Sequence, residues 1–150
     1  MSQLDRLLVI CPSRGRPGRA KELASAVATT TSRADLVFYL DDDDIDEPRD
    51  VNNDKPRYDD LLSIPRVVVH RGPRLGPAAS CNVIVTQHPD YAAYGVLCDD
   101  MIPSPNGWDE FVLSVLAGCK DQVGVVSPSH NLGGHVDVPF VSRRWIERVG

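Results

Sequence analysis

Five short apolar runs, each closed by polar or turn-forming residues, constrain this chain more than any other feature. They are residues 7–11 (LLVIC), 36–40 (LVFYL), 67–69 (VVV), 94–98 (YGVLC) and 123–126 (VGVV). Their apolar character is continuous rather than alternating, which marks strands buried on both faces, as in a parallel sheet. Helical patterns lie between them. Residues 17–29 place Ala20, Leu23, Ala24 and Val27 on one face, with Pro17 suited to the first turn. Residues 77–87 form a second helix that tolerates the β-branched Val83, Ile84 and Val85. Residues 107–117 form a third, expected to bury Phe111, Val112, Val115 and Leu116 and to stop at Gly118. A last helix runs from Ser142, a natural N-cap, through Trp145 to Val149. Strands alternating with helices predict βαβ units with right-handed crossovers: an α/β domain whose mostly parallel sheet is flanked by helices. Residues 41–65 and 128–139 read as surface loops.

Composition narrows the function classes. The chain has 150 residues, enough for one domain with a real core. It is 42% hydrophobic and 25% charged, as ordinary globular proteins are. A net charge of −5 argues against non-specific nucleic-acid binding, yet leaves room for a nucleotide held by local arginines and a cation. No stretch approaches the roughly 20 apolar residues of a membrane span, and residues 1–6 have no signal-peptide character. Cys11, Cys81, Cys98 and Cys119 form no Cys-x-x-Cys pair, so buried free thiols and a cytoplasmic setting are expected.

The chemistry concentrates at the ends of the runs. The first yields PSRGRP (residues 12–17), the second the aspartates 41–44, the third HRGPR (70–74), the fourth Asp99 and Asp100, and the fifth SPSH (127–130). In a parallel sheet these ends share one edge, where open α/β sheets bind their ligands. Adjacent carboxylates at positions 99 and 100 repel each other, and a divalent cation resolves that conflict. Arg14 and Arg16 lie where a helix start favours an anion. Asp41 and Asp43 are the members of the acidic run suited to accept hydrogen bonds from a base or ribose. Arg71 adds a cation, and Asn82 an amide on the second helix. The glycines do not spell Gly-x-Gly-x-x-Gly, no Walker-type Gly-Lys-Ser/Thr occurs, and the position that a calcium loop needs as glycine holds Asp46. His70, His130 and His135 lack metal-ligand spacing, although His130 and Asp137 fall in a loop beside the expected cleft. Trp108 reads as a core anchor, with a sugar platform as the alternative.

Residues 8–17, the strand ending Phe38-Tyr-Leu-Asp-Asp-Asp43, Arg71 to Gly76 followed by Ala79-Ser-Cys-Asn82, and residues 97–103 through Gly107-Trp108-Asp109 together resemble the family 2-like glycosyltransferases of GT-A fold. The similarity is greatest to a branch common in bacteriophage and bacterial genomes, and it covers nearly the whole chain. The resemblance implies a donor sugar on UDP or GDP, with manganese or magnesium. Carried over by position, Pro12, Ser13 and Arg14 would line the nucleotide, Asp41 or Asp43 would face the base, and Asn82 would lie near it. Asp100 would ligate the metal, and Asp99 would contact ribose or sugar or share the metal. The family's Asp-x-Asp reads Cys98-Asp99-Asp100 here. Members normally continue past position 150 with an acceptor-side segment that carries the base, so a single donor-binding domain over residues 1–150 is expected, with no catalytic base named. A homo-oligomer or partner chain could supply missing parts. The leading expectation is therefore metal-dependent transfer of a sugar to an unknown acceptor. Nucleotidyl transfer onto a sugar phosphate and a non-catalytic nucleotide-sugar-binding module are the alternatives.

Overall fold

Strands β1 (Leu7–Ser13) and β2 (Ala34–Asp41) show why the apolar runs are continuous. Leu7, Val9 and Cys11 of β1 join Leu36, Phe38 and Leu40 of β2 in one buried cluster, while Leu8 and Ile10 join Val37 and Tyr39 in a second cluster. Alternate side chains point to opposite faces of a sheet, so two buried faces require both sets to be apolar. The computed structural model describes residues 5–46, 55–127 and 138–149.

Around this pair lie α1 (Pro17–Thr30), β3 (Val67–Gly72), α2 (Pro77–Gln87), β4 (Ala93–Val96), α3 (Trp108–Gly118), β5 (Val125–Val126), β6 (Phe140–Ser142) and α4 (Arg143–Val149). The sheet order is β3-β2-β1-β4-β6-β5. β1 pairs in parallel with β2 and β4, and β2 with β3, so the carboxyl ends of these four strands fall along one edge. α1 and α3 cover the first cluster, and Ile84 of α2 with Ile146 of α4 covers the second.

The expectation of a mostly parallel sheet flanked by helices is met, with particular differences. β6, just past the loop expected over residues 128–139, has no counterpart in the sequence reading, and it pairs antiparallel with both β4 and β5. Three residues are too few to show a pattern, and pairing with an existing sheet edge supplies what local sequence does not. Ser142 caps α4 as expected, its Oγ accepting the Trp145 amide at 3.1 Å. Phe111 and Val115 of α3 are exposed, not buried. The buried residues are Asp109, Val112, Leu113 and Leu116. That is an i, i+3, i+4, i+7 stripe set by the buried acid at the helix start. Residues 41–65 are not wholly a surface loop, because a 3-10 helix at Tyr58–Ser63 buries Tyr58 and Leu61. The cysteines are free thiols, but only Cys11 is fully buried and Cys98 is exposed. The segment 128–137, with His130, His135 and Asp137, lies outside the described residues. Among the described residues no helix is long and apolar enough to cross a membrane.

Gly95 of β4 faces Phe140 of β6 so closely that an added Cβ would come within 2.2 Å of its ring. Gly95→Ala should therefore cost about 1–3 kcal/mol by overpacking. Urea unfolding should recover part of that loss in the double variant Gly95→Ala, Phe140→Leu, whose ring is gone.

Candidate functional site

Four strand ends meet at the carboxyl edge, and side chains stitch them together. β1 ends at Ser13, which is 5% exposed. Its hydroxyl donates to Asp99 Oδ2 at 2.6 Å across to the β4 end. The Tyr58 hydroxyl lies 3.2 Å from the same Ser13 Oγ and accepts the Arg16 amide at 3.0 Å. Gly15, at φ 66, turns the chain into α1, a left-handed conformation that glycine adopts without strain. Its amide donates to Asp44 Oδ2 at 2.8 Å.

Asp99 and Asp100 differ sharply in surroundings. The Asp99 side chain is fully buried, whereas the Asp100 side chain is 58% exposed. Arg16 Nη2 stands 3.0 Å from Asp99 Oδ1, and Arg16 Nη1 stands 3.9 Å from Asp100 Oδ2. Asp99 Oδ1 has no hydrogen bond of acceptable geometry. The Arg16 contact is an ion pair rather than a hydrogen bond. The repulsion between adjacent carboxylates is thus relieved in this structure by a guanidinium.

At the β2 end, Arg14 Nη1 donates to Asp41 Oδ2 at 2.7 Å and to Asp43 Oδ1 at 2.5 Å, and Arg14 Nη2 donates to Asp43 Oδ2 at 2.9 Å. The hydrogen bonds that Arg14 donates to Asp43, then to Asp41, raise the Arg14 pKa further, so this cation is permanent. The Asp43 carboxyl is held below the usual carboxylate range, chiefly by the Arg14 hydrogen bond. Arg71 Nη1 donates to the Asp44 carbonyl at 2.8 Å. Asp46 accepts the Tyr58 and Asp59 amides at 2.9 and 3.2 Å. Within the stretch expected as a surface loop, Asp41, Asp43, Asp44 and Asp46 hold neighbouring elements in place.

Pro12, half-buried in β1, sits opposite Tyr39 of β2, and Tyr39 stacks on His70 with centroids 5.3 Å apart. Asn82 is exposed on α2. Tyr58 and Asp44 are members of the network that sequence reasoning missed, since neither carries a spacing signal. Arg16 was legible only as a cation near a helix start.

The Gly107-Trp108-Asp109 segment lies at the opposite edge. Asp109, fully buried, accepts the Ser32 and Arg33 amides at 3.0 and 2.6 Å, just before β2 begins. Trp108 donates from Nε1 to Thr30 Oγ1 at 3.1 Å and packs on Phe140 with ring centroids 5.7 Å apart. Trp108 is a core anchor.

No protein-family model and no curated protein matches this sequence. Solved structures do match its fold. One is a mannosyltransferase from Pyrobaculum calidifontis in complex with GDP-Man and Mn2+, at TM-score 0.69 and 14% identity, over 97% of this chain and 46% of that one. A second, from Desulfovibrio desulfuricans G20, is assigned as a nucleotide-diphospho-sugar transferase, at TM-score 0.56 and 13% identity, over 97% and 65%. A third is a CMP:2-keto-3-deoxy-manno-octonic acid synthetase complexed with CTP, at TM-score 0.53 and 12% identity, over 95% and 76%. The chain thus has the GT-A-like fold of nucleotide-sugar transferases. It spans 46% and 65% of the length of the first two structures.

Among the described residues no group of three or more His, Cys, Asp or Glu side chains is arranged to hold a metal ion. Two carboxylates nevertheless suffice for magnesium or manganese when phosphate oxygens complete the shell. The buried Asp99 Oδ1, which accepts no hydrogen bond and meets only the Arg16 guanidinium as an ion pair, fits that donor set together with the exposed Asp100.

Two expectations follow. Asp109→Ala strands two backbone amides at the amino edge and should lower stability by about 2–4 kcal/mol in denaturant titration. A carboxyl whose pKa falls on folding contributes stability above its unfolded pKa, about 4, and loses it as pH drops through the folded value. Asp43→Asn should therefore leave stability above about pH 5 reduced but parallel to wild type, and flatten the acid limb below it. Solvent screening keeps that effect small.

Proposed function

We propose that this chain binds a nucleoside-diphosphate sugar together with a divalent cation and transfers the sugar to an acceptor. The observation that carries this reading is the Asp99–Asp100 pair at the carboxyl end of β4, one buried and one exposed, beside the β1–α1 turn. The likeness in fold to nucleotide-sugar transferases supports it. The sequence resemblance narrows the proposal to a family 2-like glycosyltransferase of the phage and bacterial branch using a UDP- or GDP-linked donor.

In this reading Asp100 and Asp99, whose Oδ1 is the ion-pair partner of Arg16, would hold manganese or magnesium. The ion, when bound, neutralises charge that develops on the departing diphosphate. The chain's own residues do the rest. Arg14, fixed by two carboxylates, presents a preorganised positive charge beside the nucleotide. Asp41 and Asp43 retain acceptor capacity for base or ribose while orienting Arg14. Pro12 and Ser13, the last residues of β1, would line the nucleotide, Arg71 adds positive charge at the β3 end, and Asn82 offers an amide from α2. The sugar acceptor and the base that activates it are not assigned to any of these residues.

The likeness to the CTP-bound synthetase favours a second reading, nucleotidyl transfer onto a sugar phosphate. A lysine for the triphosphate is its requirement, and Lys21 of α1 instead pairs with Asp60 at 3.7 Å.

Thermal shift discriminates. With saturating manganese, a GDP- or UDP-sugar should raise Tm by about 2–8 °C, and Asp100→Asn should abolish the rise. No rise in wild type with any donor sinks the transferase reading. A rise with nucleoside triphosphate alone favours nucleotidyl transfer. A rise with no sugar transfer or hydrolysis over hours favours a binding module.

A further inference from the structure

Arg16 carries features that a simple surface arginine lacks. Its backbone is anchored: the amide donates to Tyr58 at 3.0 Å, and its carbonyl accepts the Ala20 amide of α1 at 3.1 Å. Its side chain is 53% exposed. The guanidinium nonetheless faces Asp99 Oδ1 at 3.0 Å and Asp100 Oδ2 at 3.9 Å. Asp99 Oδ1 is fully buried and has no hydrogen bond, so the Arg16 guanidinium supplies its counter-charge. A buried carboxylate left without a counter-charge is costly, which explains why the guanidinium is drawn in.

A divalent cation at Asp99 and Asp100 and the guanidinium of Arg16 compete for the same two oxygens. Both are cations, and they cannot share that space without repulsion. We infer that Arg16 is an exchangeable counter-ion: it neutralises the Asp99–Asp100 pair until a divalent cation replaces it, and the released guanidinium then turns to the diphosphate. This inference rests on the nucleotide-sugar reading above. Geometry allows the second half of the exchange, because Arg16 is the N-cap position of α1, where backbone amides already favour an anion. The planar fork of a guanidinium serves carboxylate and phosphate equally well. The device has a consequence for order of binding. Metal alone displaces a favourable ion pair and binds weakly, whereas metal with diphosphate gives Arg16 a new partner, so the two ligands reinforce each other.

The test uses the whole chain and two readouts that require no turnover. Manganese affinity without nucleotide is read from the free-ion paramagnetic resonance signal. GDP and UDP affinities at saturating manganese are read by calorimetry. Arg16→Gln should bind manganese about tenfold more tightly and the diphosphate about tenfold more weakly, opposite changes of the size a charge-assisted contact supports. Arg16→Lys, which keeps the charge, serves if the glutamine variant is misfolded, and should shift both affinities in the same directions by less. Arg19→Gln, which removes an equal charge from an arginine paired with Glu22, should change neither. Unchanged or weaker manganese binding in Arg16→Gln overturns the exchange, as does an Arg19→Gln variant that behaves like it. Wild-type protein that takes up neither manganese nor either diphosphate overturns the underlying donor-site reading. Wild type that binds both ligands while Arg16→Gln moves neither affinity overturns the exchange alone.

Discussion

A fully buried carboxylate at the end of β4 is the interaction on which the carboxyl edge depends. Asp99 cannot be hydrated, so its charge must be met by protein groups. Ser13 from the end of β1 and Arg16 from the start of α1 meet it at 2.6 and 3.0 Å. Those contacts fix how the β1–α1 turn sits over β4. Tyr58 extends the tie, joining Ser13 and the Arg16 amide to the 3-10 helix that follows the acidic loop. A polar network of this kind over-determines one arrangement of the strand ends.

Asp99 and Asp109 show two uses of the same physics at opposite edges. Asp109 is also fully buried, and one of its oxygens likewise lacks a hydrogen bond. Its partners are backbone amides of Ser32 and Arg33, which cannot move without unfolding the start of β2. It is a structural clamp, and it sets the phase of α3. The partners of Asp99 are side chains at the end of β1 and the start of α1, one of them half-exposed. Side-chain partners can be exchanged for other ligands at modest cost, and backbone partners cannot. That difference is what makes one buried acid a candidate for binding chemistry and the other a piece of the scaffold.

The acidic run after β2 obeys the same logic. Four close aspartates would repel one another in solution, yet here each of Asp41, Asp43 and Asp44 has a donor from the β1–α1 turn. Arg14 therefore acts as the hub between β1 and β2, as Ser13 does between β1 and β4. The sheet's parallel register brings these loops together, and their opposite charges lock them.

Much of this was legible in the chain. The continuous apolar runs at residues 7–11 and 36–40 lie inside strands buried on both faces, whereas the runs at 67–69 and 123–126 became the edge strands β3 and β5, where Val68 and Val125 are exposed. Pro17 and Pro77 begin helices, and Ser142 caps one, because these are properties of the residue and its neighbours. The clustering of arginines and carboxylates at strand ends followed from parallel order alone. Tertiary structure decided what local sequence could not. A three-residue strand, β6, exists only because β4 and β5 offer edges to pair with. The burial of Asp109 in place of Phe111 follows from amides brought from another element. Which of two adjacent aspartates turns inward was decided by Ser13 and Arg16, distant in sequence, because hydrogen bonds and ion pairs depend on spatial placement and not on order along the chain.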